Sequence, residues 1–178
     1  MADIAVSSCF CWQSAGNGGI IEYIIHDGSK MELMMNEQQK AEVQQHLLSF
    51  YDENPFVQYL HIEVASIEAG RVQLDMKVIH EHTNVYKIAH GGVLMTMADT
   101  AMGAACLSCG KKVVTLDFGM NFLRAVPEGS AVIARGRVIH DGSRTMVGEC
   151  DLLAEDGHLF GRAHGTFFVI GSFLSEEK

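Results

Sequence analysis

The stretch His90-Gly91-Gly92-Val93-Leu94-Met95-Thr96-Met97-Ala98-Asp99-Thr100-Ala101-Met102-Gly103-Ala104-Ala105-Cys106-Leu107-Ser108 decides the fold. From Gly91 to Ser108 nearly every residue is apolar or small, and the apolar positions fall on every helical face rather than on one stripe. That pattern predicts a helix buried all round, with the rest of the chain wrapped about it. Its single charge is Asp99. An ionised carboxylate in such surroundings is costly unless it is paired, hydrogen-bonded or put to chemical use, so Asp99 is the first candidate for function. A membrane span is the competing reading, but Ala, Gly, Thr and Met dominate the run and an acid sits at its middle, which favours a core helix.

Working outward, Ile62 to Ala69 and Val72 to Val78 flank the turn Glu68-Ala69-Gly70-Arg71, and the second run alternates cleanly between apolar and polar. This predicts a hairpin with one buried face. His80 to Ala89 is a polar connection into the long helix. After the helix, four strand patterns follow: Val113 to Leu123, Ala131 to His140, Arg144 to Ala154 and Leu159 to Ile170. Turn clusters at Pro127-Glu128-Gly129-Ser130, Asp141-Gly142-Ser143 and Glu155-Asp156-Gly157-His158 separate them and predict an antiparallel meander. Upstream, Ile20 to Ile25 reads as a short strand. Met31 to Tyr51 reads as a helix with Leu33, Met34, Ala41, Leu47, Leu48 and Tyr51 as packing positions, ended by Asn54-Pro55.

No βαβ repeat calls for a parallel sheet, so the expected class is α+β: an antiparallel sheet wrapped around a long central helix at about 91–108, with an N-terminal helical extension. Residues 1–52 form the extension in this reading and 53–172 the main domain.

The 178 residues suffice for one core without staples, and 48% apolar with 20% charged residues is the balance of a folded soluble protein. A net charge of −9 argues against a nucleic-acid or anionic-membrane surface. Five cysteines and a start, Met1-Ala2-Asp3-Ile4-Ala5-Val6, without a basic region predict neither a disulfide framework nor a secretory signal, hence a reducing cytoplasm. Cys106-Leu107-Ser108-Cys109 is a lone C-x-x-C, and His80 with His82 lacks a third ligand, so neither a metal nor a redox cofactor is expected. The motifs of serine hydrolases, nucleotide hydrolases and dinucleotide oxidoreductases do not occur.

Gly91-Gly92 at a helix start leaves backbone N–H groups to meet a ligand oxygen, with the positive end of the helix dipole behind them. Such preorganised donors suit the oxyanion of acyl transfer, although the glycines also permit a plain tight entry into the helix. Asp99 has a structural reading as well, as acceptor of hydroxyl hydrogens from Thr96 or Thr100. Eight residues at about 1.5 Å each separate Gly91 from Asp99 by roughly 12 Å. If both serve one reaction, a second subunit with its helix antiparallel must complete the site.

The residues carry a resemblance. His82-Thr83-Asn84, His90-Gly91-Gly92-Val93-Leu94, Asp99-Thr100-Ala101-Met102-Gly103, Thr115-Leu116-Asp117-Phe118 and Asn121-Phe122-Leu123-Arg124-Ala125 resemble, in order and spacing, the phenylacetic-acid-degradation-type acyl-CoA thioesterases of the hotdog superfamily. The resemblance covers about residues 55 to 170. It implies hydrolysis of an acyl-CoA thioester, without a cofactor, by a homodimer or homotetramer. It implies Asp99 as nucleophile or base, Gly91 N–H on the thioester carbonyl, Asn84 holding carbonyl or water, and Thr115 supporting Asp99 or the water. His90, Gly92, Arg124, Gly142 and Arg144 fall to substrate binding. Arg135 and Arg137 are weaker candidates for the CoA phosphates, and the methionines of the helix suggest an apolar acyl tunnel. The rival readings are a hydratase or dehydratase of the same fold and a protein that binds acyl-CoA without turning it over.

Overall fold

The computed structural model describes residues 23–25, 31–33 and 37–174. They belong to two compact units, Met1–Ala41 and Glu42–Lys178. In the first, β1 (Tyr23–Ile25) and β2 (Met31–Leu33) pair antiparallel with Tyr23 opposite Leu33. The helix expected from Met31 therefore starts later, as α1 (Glu37–Asp52). Pairing with Tyr23–Ile25 overrides the strong intrinsic helix propensity of Met31, Glu32 and Leu33. The side chains of Leu33 and Met34 lie outside the described residues.

In the second unit, α1 buries Val43, Leu47 and Tyr51, one residue per turn, while Leu48 is exposed; Ala41, the last residue of the first unit, is also exposed. Asn54 caps the short α2 (Pro55–Tyr59), its Oδ1 accepting from the N–H groups of Phe56 and Val57. The strands β3 (Glu63–Glu68), β4 (Arg71–Lys77), β5 (Lys111–Phe122), β6 (Ala131–Asp141), β7 (Thr145–Leu153) and β8 (Leu159–Ser172) form one sheet in the order β3-β4-β6-β7-β8-β5. Every neighbouring pair is antiparallel. The alternation read in β4 is real, with Val72, Leu74 and Met76 facing the core.

The helix α3 (Gly91–Leu107) lies against β4 to β8. Its closest approach is at Gly136, where a Cβ would stand 2.2 Å from the Ala101 carbonyl oxygen, so only glycine lets β6 pass beneath the helix backbone. Met97, Ala98, Ala101 and Met102 are fully buried there. This is the hotdog fold that the residues resemble.

Two expectations are corrected. The four strands after α3 are not one meander: β6, β7 and β8 are, but β5 pairs with β8 at the far edge and β4 pairs with β6. The segment 123–130 returns the chain across the molecule. It is held by bonds from Ala89 N–H to Val126 O and from Val78 N–H to Ser130 O. Nor is α3 buried all round. Gly92 and Met95 are exposed and Thr96, Asp99, Thr100 and Gly103 partly so, a stripe at helical spacing that the sheet does not cover.

Candidate active site

The connection from His80 to His90 places one end of the site. His80–His82 forms a 3-10 turn within the polar connection, with His82 buried and His80 beside Glu128. His90 N–H donates to His82 O and Asn84 N–H to Ile88 O, folding the loop back onto the start of α3. Within it, Asn84 Oδ1 accepts from Tyr86 N–H at 2.9 Å. The turn therefore takes the amide oxygen of Asn84 and leaves its Nδ2 hydrogens for a ligand acceptor.

At the α3 N-terminus four N–H groups have no partner within the helix. The Gly92 N–H goes to His90 Nδ1 at 2.9 Å, and those of Val93 and Leu94 go to His90 O. Among the described residues, only the Gly91 N–H of this set has no acceptor. The pair of glycines thus reduces to one available donor, with Gly92 engaged in the cap. The Phe122 ring lies against Gly91, where a Cβ would meet it at 3.2 Å.

Asp99 sits two turns along α3. Thr96 gives its hydroxyl hydrogen to Gly92 O, so it does not serve the acid; the partner is Thr115 on β5, whose Oγ1 donates to Asp99 Oδ1 at 3.0 Å. Burial pushes the Asp99 carboxyl above the ordinary carboxylate range and the Thr115 hydroxyl pulls it part of the way back. Both residues open into a cleft of about 340 Å³ between α3, β5, β8 and the end of α1. Tyr51 of α1 lines it too, its hydroxyl donating to Thr100 O at 3.4 Å. Burial and the nearby Asp99 charge hold that phenol protonated. Sequence reading treated Tyr51 as a packing position only, because α1 shows which of its faces is apolar but not which part of the domain it covers.

The anion candidates separate. Arg124 Nη1 donates to Leu159 O, whereas Arg144 O accepts from Val169 N–H. Ten steps along β8 separate those contacts, about 33 Å at strand rise, which puts the two arginines toward opposite ends of the strand. Gly142 has its N–H on Thr145 O and its carbonyl on Lys111 Nζ, so both backbone groups serve the turn. Arg137 pairs with Glu149 and Asp151, and Arg135 bonds Gln73, which leaves that pair on the outer face of the sheet. No three His, Cys, Asp or Glu side chains gather as a metal set among the described residues. Burial raises the Cys106 thiol to about 12 and Cys109 to about 11, keeping both protonated. Cys9 and Cys11 lie outside the described residues.

An antiparallel sheet around one helix, with a half-buried carboxylate at the helix midpoint and a bare glycine N–H at its start, defines a hotdog protein of the thioesterase type. The family model described as Thioesterase superfamily matches residues 86–160. A putative esterase of Haemophilus influenzae is 34% identical over 120 residues, covering 66% of this chain and 86% of the relative. Acyl-coenzyme A thioesterase PaaI of Escherichia coli is 27% identical over 129 residues, covering 72% of this chain and 92% of the relative. The solved E. coli PaaI structure, from the phenylacetic acid degradation operon, superposes with a TM-score of 0.72 at 26% identity, over 75% of this chain and 96% of that one. A Streptococcus mutans protein solved with acetyl CoA gives 0.61 at 31% identity, over 62% and 90%. The chain belongs to the thioesterase superfamily, as a PaaI-like hotdog thioesterase.

Proposed function

We propose that the chain hydrolyses an acyl-CoA thioester to the free acid and CoA, at a site built from Asp99 of one copy and Gly91 and Asn84 of a second. The observation that carries this reading is the spacing along α3. The one available donor at its N-terminus and its one carboxylate are about 12 Å apart, and the Asp99 side of the helix is left uncovered by its own sheet. A second α3, antiparallel across a two-fold axis, brings each donor to the other's carboxylate. The edge strand β5 supports such pairing, since twelve residues carry exposed Val114 and Leu116 on an open edge. The named relatives, an acyl-CoA thioesterase and a protein solved with acetyl CoA, support the substrate class.

In this mechanism Asp99 takes a proton from water as its oxygen attacks the thioester carbon. The carbonyl oxygen becomes an oxyanion held by Gly91 N–H and Asn84 Nδ2. The C–S bond then breaks, and the departing thiolate recovers the proton from Asp99. A carboxyl raised by burial is the better base for this step. Release of free thiol from acyl-CoA by the full chain, abolished in Asp99→Ala while CoA binding persists, is the expected result; undiminished turnover in that variant overturns the assignment. A single turnover in ¹⁸O-water should place the label directly in the product acid. Label in the Asp99 carboxylate would instead make that residue the nucleophile.

A further inference from the structure

The cleft beside Asp99 continues past the carboxylate. Its α3 wall is Asp99, Thr100, Gly103 and Leu107, one face of the helix, so it extends about 12 Å from the acid toward the helix C-terminus. The near end is polar, with Asp99 and Thr115. The far end is formed by Leu107, Ile170, Phe173 and the α1 residue Phe50, with Lys112 of β5 the charged side chain beside them. Midway, Gly103 contributes no side chain.

The far wall is held firmly. The Phe50 ring meets Phe173 edge-on at 5.7 Å and Tyr51 at 5.4 Å, and His46 packs on Phe173 at 4.7 Å. These are the preferred edge-to-face geometries of aromatic pairs. Phe173 is buried and its N–H donates to Gly110 O, which ties the wall to the turn between α3 and β5. Phe50 remains 42% exposed, so one face of its ring is free.

We infer that this cleft holds the acyl group of the thioester, its tail toward Leu107, and that Phe50 with Phe173 forms the end wall limiting the acyl group to chains shorter than lauroyl. The inference rests on the thioester-hydrolysis reading above. The occupant follows from continuity with Asp99: a substrate whose carbonyl lies at the acid must send one of its two arms into the cleft. Lys112 apart, the far wall is aromatic and aliphatic, and a hydrated nucleotide arm would give up its water there for few polar partners, so the acyl arm enters. Of the helix methionines expected to line a tunnel, Met97 and Met102 are enclosed in the core and Met95 is exposed, and none of the three lines this cleft.

The test compares kcat/KM for hexanoyl-CoA and lauroyl-CoA on the same preparation of the full chain, so that the ratio is unaffected by any misfolded fraction. Wild type should favour hexanoyl-CoA. Phe50→Ala and Phe173→Leu should raise the lauroyl-to-hexanoyl ratio by about tenfold, and Phe50→Trp should lower it, since about one methylene in an apolar pocket already changes discrimination by 10-fold or more. Ratios equal to wild type in all three variants overturn the end wall while leaving hydrolysis standing. If wild type hydrolyses neither thioester but releases thiol from phenylacetyl-CoA, the end wall falls and hydrolysis stands; release of thiol from none of the three overturns both.

Discussion

Burial and the Thr115 hydroxyl act on the Asp99 carboxyl in opposite directions, and the balance sets when it can serve as a base. In the mechanism proposed above the ionised form is the active one, so activity should fall as pH drops through a pKa that lies above the ordinary value of about 3.9. Thr115→Val removes a hydrogen bond to the charged form and so raises that pKa further. The acid limb of the kcat/KM profile should therefore move toward neutrality, with Thr115→Ser restoring it; a limb that stays in place in Thr115→Val refutes the coupling. The same shift has a consequence for stability. A carboxyl whose folded pKa exceeds its unfolded one destabilises the native state once pH rises through that folded value. Asp99→Asn, neutral and nearly isosteric, should thus melt at a higher temperature than wild type at pH 7 while losing turnover, and an unchanged or lower melting temperature would contradict this.

The elements differ in how much of their placement is local. The alternation of β4 and the tight turns joining β6, β7 and β8 are written in contiguous residues, and so is the all-apolar composition of α3. The place of β5 is not, since its partner β8 lies some fifty residues on and the chain leaves it through an irregular segment. The Asp99–Thr115 pair was legible because a resemblance linked two short motifs. The wall formed by Phe50, Tyr51 and Phe173 was not, for it requires knowing where α1 docks. The uncovered stripe of α3 was hidden for a related reason: Gly, Thr and Met read as core residues whether their cover is the chain's own sheet or another copy. The most exacting contact between elements is that of α3 on β6. A Cβ at Gly136 would meet backbone, at 2.2 Å from Ala101 O and 2.9 Å from Met102 N, and backbone cannot swing aside as a side chain does. Gly136→Ala should cost about 3 kcal/mol or more, beyond the usual range for overpacking. Urea unfolding measures this, and a loss under about 0.5 kcal/mol would mean that α3 shifts freely on the sheet.

At the scale of the whole molecule, the proposed sharing of the site between two copies is open to a test by mixtures that single variants cannot supply. Gly91 is the first residue of α3, preceded by His90 at φ −65° and ψ 134°. Proline is tolerated at a first helical position, and extended backbone suits the residue before it. Gly91→Pro thus removes the one free donor while keeping the helix, with only the half-exposed Phe122 ring needing to give way. Loss of an oxyanion donor should lower kcat by about 10²–10³. Asp99→Ala homodimers lack the base, and Gly91→Pro homodimers lack the donor. In a mixed dimer, one site combines both defects, but the other joins Asp99 of the proline copy to Gly91 of the alanine copy and is intact. Equal mixing with subunit exchange makes about half of the dimers mixed, each with one of two sites restored, so about a quarter of wild-type activity should return. A site contained within one copy would be broken in every subunit of the mixture, and no activity would return. The recovery of thiol release on mixing two inactive preparations therefore decides whether α3 serves one active site or contributes half of two.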